Sequence, residues 1–215
     1  MASAPSSTTS APSGTTGAPG ERDRVHLPDT ARDLVKILVA GPFGVGKTTL
    51  IGSVSEIRPL HTEEHLSEAS AEVDDLAGVR DKTTTTVAID FGRVSLPGGV
   101  VLYLFGTPGQ ERFRALWDDI AYGALGALVL VDSRRIDASF DVLGLVEESG
   151  LPYAVAFNEF PDAPRHHGVE QLRRALDLET DTPMVTCDAR DPNSSIDALL
   201  ALVDHLLTRD PAEAR

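Results

Sequence analysis

The sequence predicts an α/β domain with a six-stranded, mostly parallel sheet, one antiparallel edge strand and helices on both faces. From about Leu34, short apolar runs alternate with segments of helical periodicity, an order typical of parallel sheets. Two of the strands, "VAIDFGRVSL" (87–96) and "VVLYLF" (100–105), are instead joined by the tight-turn signal "PGG". Such a short connection makes them antiparallel neighbours.

The elements follow in the order β-α-β-β-α-β-α-β-α-β-α. Strands are predicted at 34–41, 87–96, 100–105, 124–132, 152–158 and 183–188. Helices are predicted at 48–57, 136–149, 168–178 and 194–208, and a further helix, without assigned bounds, between the third and fourth strands. The polar stretch 58–85 receives no strand, and the role of its acidic part, 61–75, stays open. Ligands of such sheets bind at the carboxyl ends of the strands, so functional motifs are expected there.

Composition separates the N-terminal part from the rest. Residues 2–20 contain only Ala, Ser, Thr, Pro and Gly, so residues 1–30 are predicted to be a disordered arm and 31–210 a single domain. No signal peptide, myristoylation site, prenylation cysteine or membrane-spanning run is recognisable, which predicts no direct membrane anchor. The single cysteine suits a reducing cytoplasm, and the net charge of −14 argues against nucleic-acid binding.

A phosphate-binding loop is predicted between the first strand and the first helix. "GPFGVGKTT" (41–49) fits G-x-x-x-x-G-K-[ST] with a strand before it and a helix after it. Lys47 is expected to contact the β- and γ-phosphates and to act in catalysis, and Thr48 to place its hydroxyl on Mg²⁺. A chance glycine-rich turn would not need this Lys-Thr pair. The phosphate-binding set predicted in this loop is Gly41, Phe43, Gly44, Val45, Gly46, Lys47, Thr48 and Thr49.

Two switch segments are predicted downstream. The alternation of residues along the strand and the pattern T-x-x-x-D-F select Thr86 as a second Mg²⁺ ligand. Its hydroxyl is expected to bind the ion only when a γ-phosphate is present. In "GTPGQERF" (106–113), the Gly109 N–H is expected to bond the γ-phosphate and Gln110 to orient the attacking water. Arg80 is a candidate internal arginine finger, with a solvated surface arginine as the alternative.

Two residues depart from the pattern of Ras-like GTPases. Gly106 stands where those proteins carry an aspartate that holds a Mg²⁺-bound water, which predicts weaker magnesium affinity and looser nucleotide retention. Phe43 replaces a small residue of the phosphate loop. It either obstructs hydrolysis or packs against a switch, and slow intrinsic turnover is expected.

The base-binding motifs are incomplete. Ras-like GTPases read guanine with N-K-x-D and S-A-K. Here Asn158 is in place, but Glu159 replaces the lysine and Asp162 stands one residue late. Ala189 is placed to offer its N–H to the guanine O6, and Arg190 to stack on the base. Either Asp162 reaches the base from a shifted turn, or discrimination against ATP is imperfect; GTP and GDP are favoured.

Together, the phosphate loop, the two switch segments and the base-binding motifs resemble one family, the small GTPases of actinobacterial conservon operons. These proteins are similar to the bacterial polarity GTPases of gliding motility. The resemblance covers about residues 30–208 and includes the glycine of "FGTPGQ". It implies a GTP-binding switch with slow hydrolysis, a roadblock/LC7-type protein as the stimulating partner, and sensor-kinase-like and DUF742-type partners through which the cytoplasmic protein associates with the membrane. The alternatives are a non-hydrolysing scaffold that keeps its nucleotide and an ATP-binding P-loop protein.

Overall fold

A computed structural model describes residues 27, 31–65, 86–109, 116–161 and 168–209. The strands within these ranges are β1 (Asp33–Ala40), β2 (Leu60–His65), β3 (Thr86–Ser95), β4 (Val100–Gly106), β5 (Gly126–Val131), β6 (Tyr153–Asn158) and β7 (Met184–Cys187). The helices are α1 (Lys47–Val54), α2 (Trp117–Ala121), α3 (Phe140–Glu148), α4 (Val169–Ala175) and α5 (Pro192–Thr208), with a short 3-10 helix at Ile136–Ser139. The predicted arm, 1–30, lies outside the described residues except for Leu27.

The strands form a sheet in the order β2-β3-β4-β1-β5-β6-β7. Strands β4, β1, β5, β6 and β7 run parallel, whereas β3 is antiparallel to β4. The α/β class, the mostly parallel sheet and all six predicted strands are therefore confirmed.

A seventh strand, β2, extends the sheet beyond the six that the sequence indicates. It pairs antiparallel with β3, so β3 is not the edge strand. The sequence "LHTEEH" has no apolar alternation to mark it as a strand. An edge strand can be held by backbone hydrogen bonds to a single neighbour, and polar side chains are common there.

Helices cover both faces of the sheet, as predicted. Alternate residues of a strand point to opposite faces, so Ile37 and Val39 of β1 join the core under α1 and α5, while Leu38 and Ala40 join the core under α2, α3 and α4. Every residue of β5 is buried, as expected of a central parallel strand. No helix in the described ranges is both long and apolar enough to cross a membrane.

Helix α1 packs closely against β3 and β4 at two glycines. A Cβ atom added at Gly92 would lie 2.6 Å from Ile51 Cγ2, and one added at Gly106 would lie 3.2 Å from Ile51 Cδ1. These two glycines therefore make room for the side chain of Ile51. Thr48 lies one turn earlier on the same face of α1, so this packing also sets the position of its hydroxyl group.

Candidate nucleotide-binding site

The phosphate loop connects β1 to α1 and has the backbone geometry that its motif predicts. Gly46 has a φ of +110° and precedes the first residue of α1. A Cβ atom at this position would also lie 2.6 Å from Asn158 Nδ2, so a side chain is excluded on two counts. The first N–H groups of a helix have no intrahelical partner and favour an anion. The loop therefore has the geometry of a phosphate site.

Lys47 is folded back onto this loop. Its Nζ donates hydrogen bonds to the carbonyl oxygens of Gly41 at 2.6 Å and Pro42 at 2.9 Å. Burial lowers the pKa of Lys47 to about 8, although the nearby carboxylate of Asp90 acts in the opposite direction. Lys47, predicted to act in catalysis, therefore lies against the phosphate loop, where an anion would favour its charged form.

The segment after β4 lies directly against the phosphate loop. The N–H of Thr107 donates to the Val39 carbonyl at 3.0 Å, which fixes the start of this segment. A Cβ atom at Gly109 would lie 2.6 Å from the backbone nitrogen of Phe43 and 2.7 Å from Lys47 Nζ. Gly109, predicted to sense the γ-phosphate, is therefore in close contact with the phosphate loop and with Lys47, and no larger residue fits at this position.

The remaining predicted switch residues are only partly described. Gln110 and Arg80 lie outside the described residues. Thr86 is the first residue of β3, and its side chain is likewise not described. The Phe43 side chain is 69% exposed. The switch residues 110–115 lie outside the described residues, so obstruction of hydrolysis and packing against a switch both stay predictions for Phe43.

An acidic side chain that the sequence analysis did not assign lies beside Thr48. The Thr48 hydroxyl donates a hydrogen bond to Oδ2 of Asp90, which is on β3. Asp90 is the direct cross-strand partner of Gly106. Asp90 and Thr48 meet only because of the order of the strands and the register between β3 and β4. A local sequence motif reports neither.

The residues present fit a magnesium ion. Mg²⁺ takes oxygen ligands and is usually held by one or two protein groups together with substrate phosphates. The Thr48 hydroxyl and the Asp90 carboxylate supply such oxygens at the start of α1. No group of three or more His, Cys, Asp or Glu residues suited to a metal occurs in the described ranges. The phosphates of a nucleotide would therefore have to complete the coordination.

Asn158 connects the phosphate loop to the predicted base site. This buried side chain donates from Nδ2 to the Val45 carbonyl at 2.8 Å and accepts through Oδ1 from the Ala189 N–H at 3.0 Å. The Ala189 N–H that the sequence assigns to the guanine O6 is therefore engaged with Asn158. A guanine would have to share or displace this hydrogen bond.

Arg190 lies in the same loop, but its side chain is paired. It is exposed, and its Nε and Nη2 donate to the two carboxylate oxygens of Asp188 at 2.8 and 2.7 Å. These hydrogen bonds lower the pKa of Asp188. Asp162, the predicted acidic contact to guanine, lies outside the described residues. Asp188 is thus the described carboxylate next to Ala189.

A second group that the sequence analysis missed follows β5. The buried carboxylate of Asp132 accepts from Arg134, and Arg135 Nη2 donates to the Phe43 carbonyl at 3.2 Å. Burial acts to raise the pKa of Asp132, but the hydrogen bonds from Arg134 and the charges of Arg134 and Arg135 together outweigh it, so the pKa is lowered. The Arg134 guanidinium also lies 3.7 Å from the centre of the Phe160 ring. The run "DSRR" directly after a buried strand is the signal that could have indicated this group.

Comparison with known proteins agrees with this geometry. A family model described as "Conserved hypothetical ATP binding protein" matches residues 39–209. An uncharacterized protein of Methanocaldococcus jannaschii is 30% identical over 130 residues, which are 60% of this chain and 71% of that protein. Ras-related protein Rab-11C of Dictyostelium discoideum is 29% identical over 107 residues, which are 48% of this chain and 39% of that protein.

Solved structures show the same fold. The G-domain of FeoB from Methanococcus jannaschii superposes with a TM-score of 0.55 at 13% identity, covering 82% of this chain and 99% of that one. The G domain of the T. maritima FeoB iron transporter gives a TM-score of 0.53 at 17% identity, covering 80% of this chain and 98% of that one. The fold is therefore that of a Ras-like G domain with a phosphate loop.

Proposed function

This chain belongs to the family described as "Conserved hypothetical ATP binding protein", and from that premise we propose that it is a switch that binds GTP and hydrolyses it slowly until a partner protein accelerates the reaction. The observation that carries the proposal is the contact between Gly109 and the phosphate loop. A terminal phosphate at this contact would meet the Gly109 N–H and Lys47 together. A diphosphate would leave that N–H without its partner.

The roles of the side chains follow from their positions. Lys47 would release the two loop carbonyls and donate to the β- and γ-phosphate oxygens. Thr48 and Thr86 would hold Mg²⁺, which neutralises charge that develops on the phosphates. Gln110 would orient the attacking water. Arg80, as an internal arginine finger, would contact the charge that builds up during transfer.

Guanine is the base that we propose, although the family description names ATP. The Ala189 N–H is a donor that suits the O6 acceptor of guanine, whereas adenine presents an amino group at this position. The likeness to Ras-related proteins and to G domains supports the same choice. Asp162 would accept from the N1–H and N2–H₂ groups of guanine, with Arg190 against the base.

ATP binding is the second candidate, and the description of the family favours it. The nucleotide that copurifies with the full chain distinguishes the two. Extraction and chromatography should give GDP or GTP, whereas ADP or ATP would reject the guanine assignment. The absence of any bound or bindable nucleotide would reject the proposed function as a whole.

The partners follow from the resemblance to conservon-type GTPases. We propose a roadblock/LC7-type protein as the protein that stimulates hydrolysis. Sensor-kinase-like and DUF742-type proteins of the same operon would link this cytoplasmic switch to the membrane. The exposed Phe43 ring at the mouth of the phosphate loop is a reason for slow turnover without a partner, because a bulky side chain there obstructs the approach of catalytic groups.

Single-turnover hydrolysis of GTP by the full chain, with and without the roadblock/LC7-type partner, tests the switch. We expect slow hydrolysis alone, faster hydrolysis with the partner, and no hydrolysis but normal binding by Gln110→Leu. The matched control is Gln171→Leu, an exposed glutamine on α4 that should leave the rate unchanged. Turnover of several per second without a partner, as in GAP-stimulated Ras, would contradict the proposal. No hydrolysis in either condition would favour the scaffold alternative.

A further inference from the structure

The glycine at 106 leaves space that another carboxylate fills. Asp90 and Gly106 are direct cross-strand partners in the antiparallel pair β3–β4. A Cβ atom added at Gly106 would lie 3.0 Å from Asp90 Cβ and 3.3 Å from Asp90 Oδ2. The Asp90 side chain therefore occupies the region into which a side chain at position 106 would project.

From this placement we infer that Asp90 supplies, from the neighbouring strand, the magnesium-positioning carboxylate that position 106 lacks. The inference rests on the proposed function, because the magnesium ion it concerns is the one that accompanies a bound nucleotide. It replaces the expectation of weak magnesium binding that Gly106 alone suggests.

The contact with Thr48 gives the chemical reason. Thr48 is the hydroxyl ligand that the phosphate-loop motif assigns to Mg²⁺, and it donates its hydrogen bond to Asp90 Oδ2. A hydroxyl that turns its lone pair to a cation must direct its proton elsewhere, and an ionised carboxylate only accepts. Asp90 thus orients the Thr48 oxygen and places a negative charge beside the ion.

The packing around Gly106 explains why the site holds one carboxylate and not two. Ile51 Cδ1 lies 3.2 Å from the Cβ that a residue at 106 would carry, so α1 approaches β4 at this point. An aspartate at 106 would crowd Ile51 and bring a second carboxylate against Asp90, and adjacent like charges oppose ionisation of both. The absence of a side chain at Gly106 therefore leaves room for Asp90 and keeps a second carboxylate away from it.

The test measures how nucleotide retention depends on magnesium, without using hydrolysis. The release rate of a fluorescent GDP analogue from the full chain is followed against free Mg²⁺, and the half-saturating concentration is compared among variants. Partners that orient a metal ligand typically contribute 10- to 100-fold in metal affinity. Asp90→Asn should therefore raise the half-saturating magnesium concentration by about 10- to 100-fold. Asp204→Asn, an exposed carboxylate on α5, removes the same charge and should have no effect.

An exchange of the two residues, Asp90→Gly with Gly106→Asp, provides a second variant. It returns one carboxylate to the site from β4 and removes the crowding Cβ of Asp90. It should bring the half-saturating concentration back towards the wild-type value, and thermal unfolding shows that each variant is folded. An unchanged magnesium dependence in Asp90→Asn would overturn the inference while nucleotide binding stands. A folded exchange variant that behaves like Asp90→Asn would also contradict it. Failure of the wild type to bind the nucleotide would overturn both the inference and the proposed function.

Discussion

The shifted pKa of Lys47 predicts that nucleotide affinity falls when the pH is raised only slightly above neutrality. Burial lowers this pKa from 10.5 to about 8. Phosphate binding requires the charged lysine, so the apparent affinity follows the fraction of chains in which Lys47 is protonated. With a pKa of about 8, this fraction falls about tenfold from pH 7 to pH 9. A lysine with an ordinary pKa would lose almost none of its charge over the same range.

The assay is a titration of the full chain with a fluorescent GDP analogue at a series of pH values and fixed free Mg²⁺. We expect binding about tenfold weaker at pH 9 than at pH 7. Lys47→Arg keeps its charge throughout and should give a flat profile. Lys36→Arg should keep the wild-type profile, because Lys36 contacts the Tyr122 carbonyl and the Phe105 ring and not the phosphate loop. A flat wild-type profile, or one that still falls in Lys47→Arg, would refute the reasoning.

The contribution of Lys47 to the stability of the nucleotide-free protein should rise with pH, whereas nucleotide affinity falls. Between pH 8 and 10.5, Lys47 is protonated in the unfolded chain and largely neutral in the folded one. The unfolded state then binds more protons, so the Lys47 contribution to the free energy of unfolding rises with pH across this window. Urea denaturation of the nucleotide-free wild type and of Lys47→Met isolates this contribution as the difference between the two curves. A difference that falls with pH would show that the sign is wrong.

Two further substitutions test the site. Gly109→Ala adds a Cβ that would lie 2.6 Å from the Phe43 nitrogen, so the segment after β4 must move away from the phosphate loop. The γ-phosphate, a charged group, would then lose a hydrogen bond, and the preference for GTP over GDP should fall about tenfold in equilibrium titrations. Gly144→Ala, where a Cβ would meet nothing within 4 Å, is its control, and an unchanged preference in Gly109→Ala would count against the sensor role. Asn158→Ala leaves a buried carbonyl and a buried N–H without their partner and should lower the free energy of unfolding by about 2 to 4 kcal/mol in urea denaturation. The exposed Asn193→Ala should change it little, and equal effects of the two would refute this account.

The parts of this molecule that could be predicted are those in which neighbours in sequence are neighbours in space. The phosphate loop is contiguous, so its glycines, Lys47 and Thr48 could be assigned from residues 41–49 alone. The six predicted strands are marked by apolar runs or by a turn signal. Strand β2 escaped because "LHTEEH" has no such pattern and its place depends on pairing with β3.

The features that could not be predicted depend on register and on loops from different strands. Asp90 reaches Thr48 only because β3 and β4 pair so that Asp90 faces Gly106. In the sequence, Gly106 indicates that a carboxylate is missing. In the sheet, it leaves space beside the carboxylate of Asp90. Likewise, the contact of Arg135 with Phe43 joins two loops that are 92 positions apart in sequence. No local pattern reports such a contact.

Asn158 gives the molecule a mechanical property as well as a binding site. One amide group at the end of β6 joins the loops that follow β1 and β7, so neither loop can shift far without breaking a hydrogen bond to Asn158. A protein that opened the loop after β7 from outside would therefore loosen the grip on phosphate at the far end of the nucleotide. Release of the nucleotide could thus be controlled from a surface that never touches the phosphates.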